Sequence, residues 1–461
     1  MVLSDDEIPF LKYSDARQPA LKDDGSDTWL SYGALQELTE GWRRALRGSK
    51  SLVFLYAHND ITSVAAFLGA CAAGHAVALF DPALSTEMRD QLAALYRPEW
   101  AIDSAVSAAP QRQSAADDVA LQPDLSVLVS TSGSTGSPKL VRLTMRNLTE
   151  NACAIGTVLG ITDRDIACGH LPLHYSFGLS VLTSHLMQGA RVRLTKTGFT
   201  DRMFWPAMRD AEISHIPGVP FHFQMLQKLD YRRLNLPTLR SLTQAGGFLA
   251  IDARREAHAF MESVGGRFFV MYGQTEASPR MTTLTHEAFA IDPDSVGIAL
   301  PGCDIRIVNG DDEGRGEVEF IGPNVMMGYA EARADLARGD ELGGRLATGD
   351  IGYLRNNGAL VLTGRAKRSG KIYGLRVNLD EIEAFANSVC ETAVTQNGDT
   401  LVLHIVRGNS VAVDDANCED LLSKVKQRFT LPESCYRAVH VDNLPRTERA
   451  KIDYTALGSN R

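Results

Sequence analysis

Apolar and polar positions along this chain alternate between two periods. "YGALQELTEGWRRAL" (Tyr32–Leu46) spaces its apolar residues three and four apart, which predicts an amphipathic helix. "SLVFLYA" (Ser51–Ala57) is a short unbroken apolar run and predicts a buried strand, and "TEMRDQLAALY" (Thr86–Tyr96) returns to the helical period. Between them "ITSVAAFLGACAAGHAVALF" (Ile61–Phe80) carries no Asp, Glu, Lys or Arg. Its length is about that of a membrane span. It is mostly Ala and Gly, however, and "AAGHA" breaks it. It predicts a buried helix, a glycine turn and the strand "AVALF", a soluble α/β unit.

"SAVSAAPQRQSAADD" (Ser104–Asp118) is small and polar and predicts an exposed connector. The α/β rhythm resumes from Val127 and runs through "AGGFLA" (Ala245–Ala250) and "RFFVMYGQTEAS" (Arg267–Ser278). Near Cys303 the pattern changes. "CDIRIVNGDDEGRGEVEFIG" (Cys303–Gly322) gives two strand-like runs around a Gly/Asp turn, so a smaller β region follows. "LVLTGRAKRSGKIYG" (Leu360–Gly374) turns basic. Then come a helix, "LDEIEAFANSV" (Leu379–Val389), a strand, "LVLHIV" (Leu401–Val406), and a helix, "CEDLLSKVKQRF" (Cys418–Phe429). The expected fold class is α/β: a large N-terminal domain, residues 1–366, of α/β subdomains plus the small β region, and a small α+β C-terminal domain, residues 367–461. No internal repeat is visible.

Composition narrows the classes. A length of 461 residues suits two or three domains, and 44% hydrophobic residues suits sizeable cores. The net charge of −9 argues against a surface that coats nucleic acid. Seven cysteines without a C-x-x-C pair read as reduced thiols in a cytoplasmic protein, not as a disulfide or zinc framework. The opening "MVLSDDEIPFLKY" is acidic and has no long apolar segment, so it does not read as a signal peptide. Neither nucleic acid nor membrane is an expected partner.

The candidate chemistry begins at "VLVSTSGSTGSPKLVRLT" (Val127–Thr144), where an apolar run ends in small and hydroxylated residues and a lysine. Glycines let a backbone approach closely, bare N–H groups make an anion-binding concavity, and hydroxyls and Lys139 add donors. A phosphate chain is the natural guest. A P-loop needs G-x-x-x-x-G-K-[ST]. Here Pro138 stands at the second glycine and Leu140 follows the lysine, so no hydroxyl is next to Lys139 to meet magnesium. The kinase reading fails there. The phosphate reading does not.

Six motifs in order now resemble the adenylate-forming superfamily of acyl-CoA synthetases, peptide-synthetase adenylation domains and firefly luciferase. They are "STSGSTGSPK", "YGQTEAS" (Tyr272–Ser278), "GEVEFIGPNVMMGY" (Gly316–Tyr329), "ATGD" (Ala347–Asp350), "GRAKRSGKIYGLRVNLDEIE" (Gly364–Glu383) and "PRTERAKID" (Pro445–Asp453). Singly, T-G-D or G-G is an ordinary turn, Glu276 a helix cap and a lysine a solvated surface group. Their order and spacing carry the weight.

The resemblance implies a ligase that joins a carboxylate to the α-phosphate of ATP, expels pyrophosphate, and passes the acyl group to coenzyme A. It implies that Thr131, Ser132, Gly133, Ser134, Thr135, Gly136 and Lys139 hold the β- and γ-phosphates. Glu276 would bind Mg2+ and Thr275 would meet the α-phosphate. Asp350 and Arg365 would take the ribose. Tyr272 would stack on adenine beside Gly246 and Gly247, with Gly273 and Gln274 in the same nucleotide site. Lys451 would bridge the carboxylate and α-phosphate from a mobile C-terminal lid turning about Lys367. Lys371 and Gly374, on the strand "KIYGLRV", would open a tunnel for a pantetheine thiol. His174, Tyr175, Phe177 and Phe248 would line an acyl pocket, while His222 reads as an ordinary core histidine.

The implied cofactors are ATP, Mg2+ and coenzyme A, or the pantetheine of a carrier protein. The implied partner is a small-molecule carboxylic acid, with an acyl carrier protein as the other possible acceptor. A relative that keeps one half-reaction is the remaining alternative. Three departures bear on this. Ala450 replaces the usual Gly before Lys451, Phe248 stands where a small residue is common, and Tyr175 stands where relatives carry His, or Asp in amino-acid activators. Without that Asp there is no evident partner for an α-ammonium. The acid itself and the oligomeric state are not legible.

Overall fold

The computed structural model describes residues 8–11, 15–107, 109–113, 119–130, 139–365, 368–372, 375–407, 415–429, 431, 433–447 and 452–459. Several helices start where the sequence supplies a side-chain acceptor. Ser31 caps Tyr32–Ala45, Asp60 caps Ile61–Ala72, and Thr144 with Asn147 forms a capping box for Met145–Leu159. That last helix ends on Gly160 at φ +63°, a left-handed stop that suits glycine. The strands Leu52–Tyr56 and Ala76–Phe80 are buried throughout, as parallel strands covered on both faces must be. The apolar 61–80 stretch is therefore a 12-residue helix and a strand. Among the described residues no helix is long and apolar enough to cross a membrane.

Two large sheets organise the molecule. One has seven strands, with Leu52–Tyr56, Ala76–Phe80 and Leu125–Ser130 at its centre. The other has nine, and its parallel middle runs Ile166–Gly169, His215–Gly218, Ser241–Gln244, Arg267–Tyr272. One continuous apolar core joins them. A four-stranded antiparallel sheet follows, Asp304–Val308, Gly316–Ile321, Arg345–Leu354 and Leu360–Arg365. This is the small β region that the pattern change near Cys303 predicts. The C-terminal part has a three-stranded sheet (Thr392–Asn397, Thr400–Val406, Tyr436–Val441), helices Leu379–Asn387 and Asp415–Arg428, and apolar clusters of its own.

One expectation changes. "KIYGLRV" is not one strand: Ser369–Ile372 and Leu375–Asn378 pair antiparallel through Ile372 and Leu375, which makes a hairpin. Within the 104–118 connector a short strand adds detail to the expectation: Gln111–Arg112, exposed as expected, pairs with Trp100 and Ala101 at the sheet edge.

Candidate active site

The parallel strands Ser241–Gln244 and Arg267–Tyr272 run out on one side of the nine-stranded sheet, the side where open α/β sheets form their crevices. The first leads into Gly246–Gly247 and the second into the Tyr272–Ser278 signature. Gly273 has no alternative there. A Cβ on it would lie 1.7 Å from the Pro279 carbonyl oxygen.

Asp350, 4% exposed, is the centre of one half of the site. Its Oδ2 accepts from the Tyr272 hydroxyl at 2.5 Å and from Gln274 Nε2 at 2.8 Å, and its Oδ1 accepts from Arg365 Nε at 2.9 Å. Asp350 and Arg365 are cross-strand partners, so the small sheet sets that pair. Burial and then Asp350 push the Tyr272 phenol well above its ordinary range, which keeps it a donor. Burial opposes the Arg365 charge, yet Asp350, Tyr272 and Asp380 hold the guanidinium above its ordinary value.

The other half links Lys139 to the signature. Glu276 Oε1 accepts from the Tyr329 hydroxyl at 2.7 Å, and Lys139 Nζ lies 3.7 Å from the centre of the Tyr329 ring. Lys139 also faces Glu331 at 3.6 Å. Tyr329 belongs to the edge strand Gly328–Ala330, which pairs with Leu140–Thr144 directly after the loop. Residues 131–138, six of the sequence-predicted phosphate ligands among them, lie outside the described residues. Their flanks are informative: Ser130 pairs antiparallel with Leu140, so the segment connects two strands, whereas a P-loop connects a strand to a helix.

On the acyl side, Thr275 Oγ1 meets the Ser176 hydroxyl at 2.9 Å. Gly246 has φ +78°, and a Cβ there would lie 2.5 Å from the Tyr175 hydroxyl and 3.8 Å from Phe177. Tyr175, Phe177 and Gly246 are thus brought together at the start of the helix Ser176–Met187. Gly247 packs on Pro220. His174 Nε2 faces Asp81 at 3.4 Å. Phe248 stands apart, 62% exposed, with the Arg254 guanidinium 5.7 Å from its ring centre.

Residues 13–330 match the family of AMP-binding enzymes. The chain is 30% identical over 373 residues to an oxalate–CoA ligase of Arabidopsis thaliana, covering 76% of this chain and 69% of that protein. It is 27% identical over 339 residues to a 2-succinylbenzoate–CoA ligase of Staphylococcus aureus, covering 72% and 67%. Its fold is that of the o-succinylbenzoate CoA synthetase of Bacillus subtilis, solved with an acyl-adenylate, at a TM-score of 0.77, 22% identity and 96% of each chain.

The chain belongs to the AMP-binding enzymes.

In this AMP-binding enzyme the signature Tyr272–Ser278 joins two groups of side chains, Asp350 with Arg365 through Tyr272 and Gln274, and Ser176 through Thr275. The donor set fits magnesium in one way only. Glu276 offers a carboxylate whose Oε2 makes no bond among the described residues, and no cluster of three His, Cys, Asp or Glu is present among them. That suits a hard cation shared with nucleotide phosphates, not a protein cage. Lys367, Gly374 and Lys451 lie outside the described residues, and for Lys371 only the backbone is described, in the hairpin strand Ser369–Ile372.

Sequence reasoning quotes Tyr329 and Asn324 inside a motif and gives them no role. Asn324 Nδ2 donates to the carbonyls of Ala277 and Arg280 at 2.6 and 2.9 Å, and Asn151 Nδ2 donates to the Arg280 carbonyl at 2.8 Å. Two asparagines therefore clamp the signature turn of this AMP-binding enzyme. Ser176 next to Thr275 is missed as well. The available signal was chemical: polar residues inside otherwise apolar motif segments.

Proposed function

We propose that this chain is an AMP-forming acid–thiol ligase. The acid's carboxylate attacks the α-phosphorus of ATP, a phosphorus–oxygen bond to pyrophosphate breaks, and an acyl-adenylate forms. A pantetheine thiol then displaces AMP and yields a thioester. The observation that carries the reading is the joint placement of two groups at one signature. Asp350 is held ready by Tyr272, Gln274 and Arg365 for a nucleotide ribose, and Glu276 is tied through Tyr329 to Lys139 at the end of the phosphate-binding loop.

In this reading Thr275 and Ser176 orient the α-phosphate, and Lys139 with the 131–138 loop neutralises the leaving pyrophosphate. Glu276 would hold Mg2+, which would supply a Lewis acid that lowers the charge of the phosphates. The names of the similar proteins, ligases of oxalate and 2-succinylbenzoate to coenzyme A, support a small carboxylic acid as substrate and coenzyme A as acceptor. Residues 367–461 are the lid. Their separate apolar clusters support a body able to move about Lys367 and to bring Lys451 to the reacting carboxylate.

The test is pyrophosphate release across a panel of carboxylic acids, with hydroxylamine trapping of the adenylate, with and without coenzyme A. Release that needs both an acid and Mg2+, followed by a coenzyme A thioester, is expected. Adenylate that transfers only to a carrier protein would move the acceptor. Adenylate that transfers to neither would reduce the chain to a half-reaction enzyme. No release with any acid would sink the reading.

A further inference from the structure

Five arginines are buried among the described residues, and four of them face an acid. Arg142 pairs with Glu341 at 2.6 Å, Arg333 with Glu99 at 2.6 Å, Arg193 with Asp24 at 3.0 Å, and Arg254 feels the charge of Asp294. The fifth, Arg280, is 2% exposed and forms no ion pair among the described residues. Its Nη1 donates to the Ser180 hydroxyl, and its guanidinium carbon lies 4.0 Å from the centre of the Phe177 ring. Its Nε has no acceptor, and its Nη2 makes no bond among the described residues. The Nε–Nη2 edge is the fork that receives a carboxylate through two parallel hydrogen bonds.

A buried guanidinium without a counter-charge is unfavourable, and burial pulls the proton affinity of Arg280 down to about 9. His185 and His215, which feel its charge, are themselves held neutral by burial and supply no anion. Among the described residues, the ionisable oxygen acting on it is the Tyr175 hydroxyl. The place is equally informative. Phe177, which covers Arg280, and Tyr175 both pack beneath Gly246, beside Val219. The backbone at Arg280 is fixed by Asn151 and Asn324, so the side chain rises from a rigid root.

The geometry points to a second-anion subsite: the acyl pocket takes a short acid with a second carboxylate, received by the free edge of Arg280 with the hydroxyls of Ser180 and Tyr175 beside it. The Phe177 ring turns aside to admit it. This rests on the adenylation reading above and names its substrate class.

The test compares acids of matched size on the whole protein: succinate, glutarate and adipate against butanoate, pentanoate and hexanoate, and phthalate against benzoate. Pyrophosphate release is measured for each. The best dicarboxylate is expected to exceed its monocarboxylate partner in kcat/KM by about 100-fold, because charge-assisted hydrogen bonds are lost and the arginine is left unpaired with the latter. Arg280→Met should collapse that ratio to about one, and Arg280→Lys should keep part of it, since lysine retains charge without the fork. The lysine variant also guards against misfolding of the methionine one, and melting curves with each dicarboxylate and AMP read binding without turnover. A monocarboxylate preferred in every pair, or a ratio that survives Arg280→Met, overturns the subsite and leaves adenylation standing. Absence of pyrophosphate with every acid overturns both.

Discussion

Gly246 shows at the scale of one residue how little room the site has. Its φ of +78° already disfavours a side chain, by about 1 kcal/mol, and the Tyr175 hydroxyl occupies the space a Cβ would need. Gly246→Ala is expected to raise the KM for the acid about tenfold. Removing that hydroxyl as well, in Gly246→Ala/Tyr175→Phe, should return part of the loss, because the closest clash disappears while the Val219 contact at 3.0 Å and the backbone part remain. A double variant no better than the single one would mean that Tyr175 is not the obstacle. Glu276 and Tyr329 form a second such pair. Glu276→Gln should cut adenylation by about 100-fold through loss of a charged metal ligand. Tyr329→Phe removes only the 2.7 Å hydrogen bond and should weaken magnesium about tenfold. The check is the magnesium concentration that gives half-maximal pyrophosphate release. If neither variant moves it, Glu276 is not the ligand.

At the scale of elements, the helix Ser176–Met187 and the strand His215–Gly218 bury two histidines against each other, His185 and His215, with ring centres 4.9 Å apart. Burial lowers His185 to about 4 and His215 well below 6.5; Arg280 adds to both, while Asp165 and a backbone carbonyl partly oppose it at His185. The unfolded chain binds these protons below about pH 6.5 and the folded chain does not, so their contribution is complete above that pH and is lost as the pH falls towards 4. His185 withdraws about 2 kcal/mol by pH 5, and His215 adds to the loss in the same direction. Urea midpoints at pH 7 and pH 5 should drop accordingly, and by less in His185→Gln; an equal drop in both proteins would remove His185 from the account. Elements were largely legible. Unbroken apolar runs and capping residues are local signals, and they marked strands such as Ala76–Phe80 and helices such as Tyr32–Ala45. The antiparallel pairing of Ser369–Ile372 with Leu375–Asn378 was missed because nothing in the residue pattern separates the two strands. The contacts that assemble the site were not legible: Tyr329 and Glu276 are 53 residues apart, and Tyr272 and Asp350 are 78 apart. Nothing local in the chain records such a pairing.

At the scale of the whole molecule, one large apolar core serves both big sheets, and the C-terminal part keeps separate clusters. The two parts meet at polar contacts beside the site: Arg365 N–H donates to Asp380 at 2.9 Å, and the Arg365 side chain reaches back to Asp350 at 2.9 Å. Polar contacts of this kind are exchanged with water at little net loss, whereas an apolar seam would resist opening. In the proposed two-pose reading the lid asks one thing of Lys451: presence in the adenylating pose and absence from the thioester-forming one. Lys451→Ala should lower adenylation by more than about 100-fold, as loss of a transition-state cation does. Thioester formation from acyl-adenylate supplied ready-made should stay within about threefold of wild type, because that step does not use the cation. Pre-steady-state measurement of each half-reaction separates them. Equal loss in both would mean that Lys451 supports folding or nucleotide binding generally, and that one pose serves both reactions.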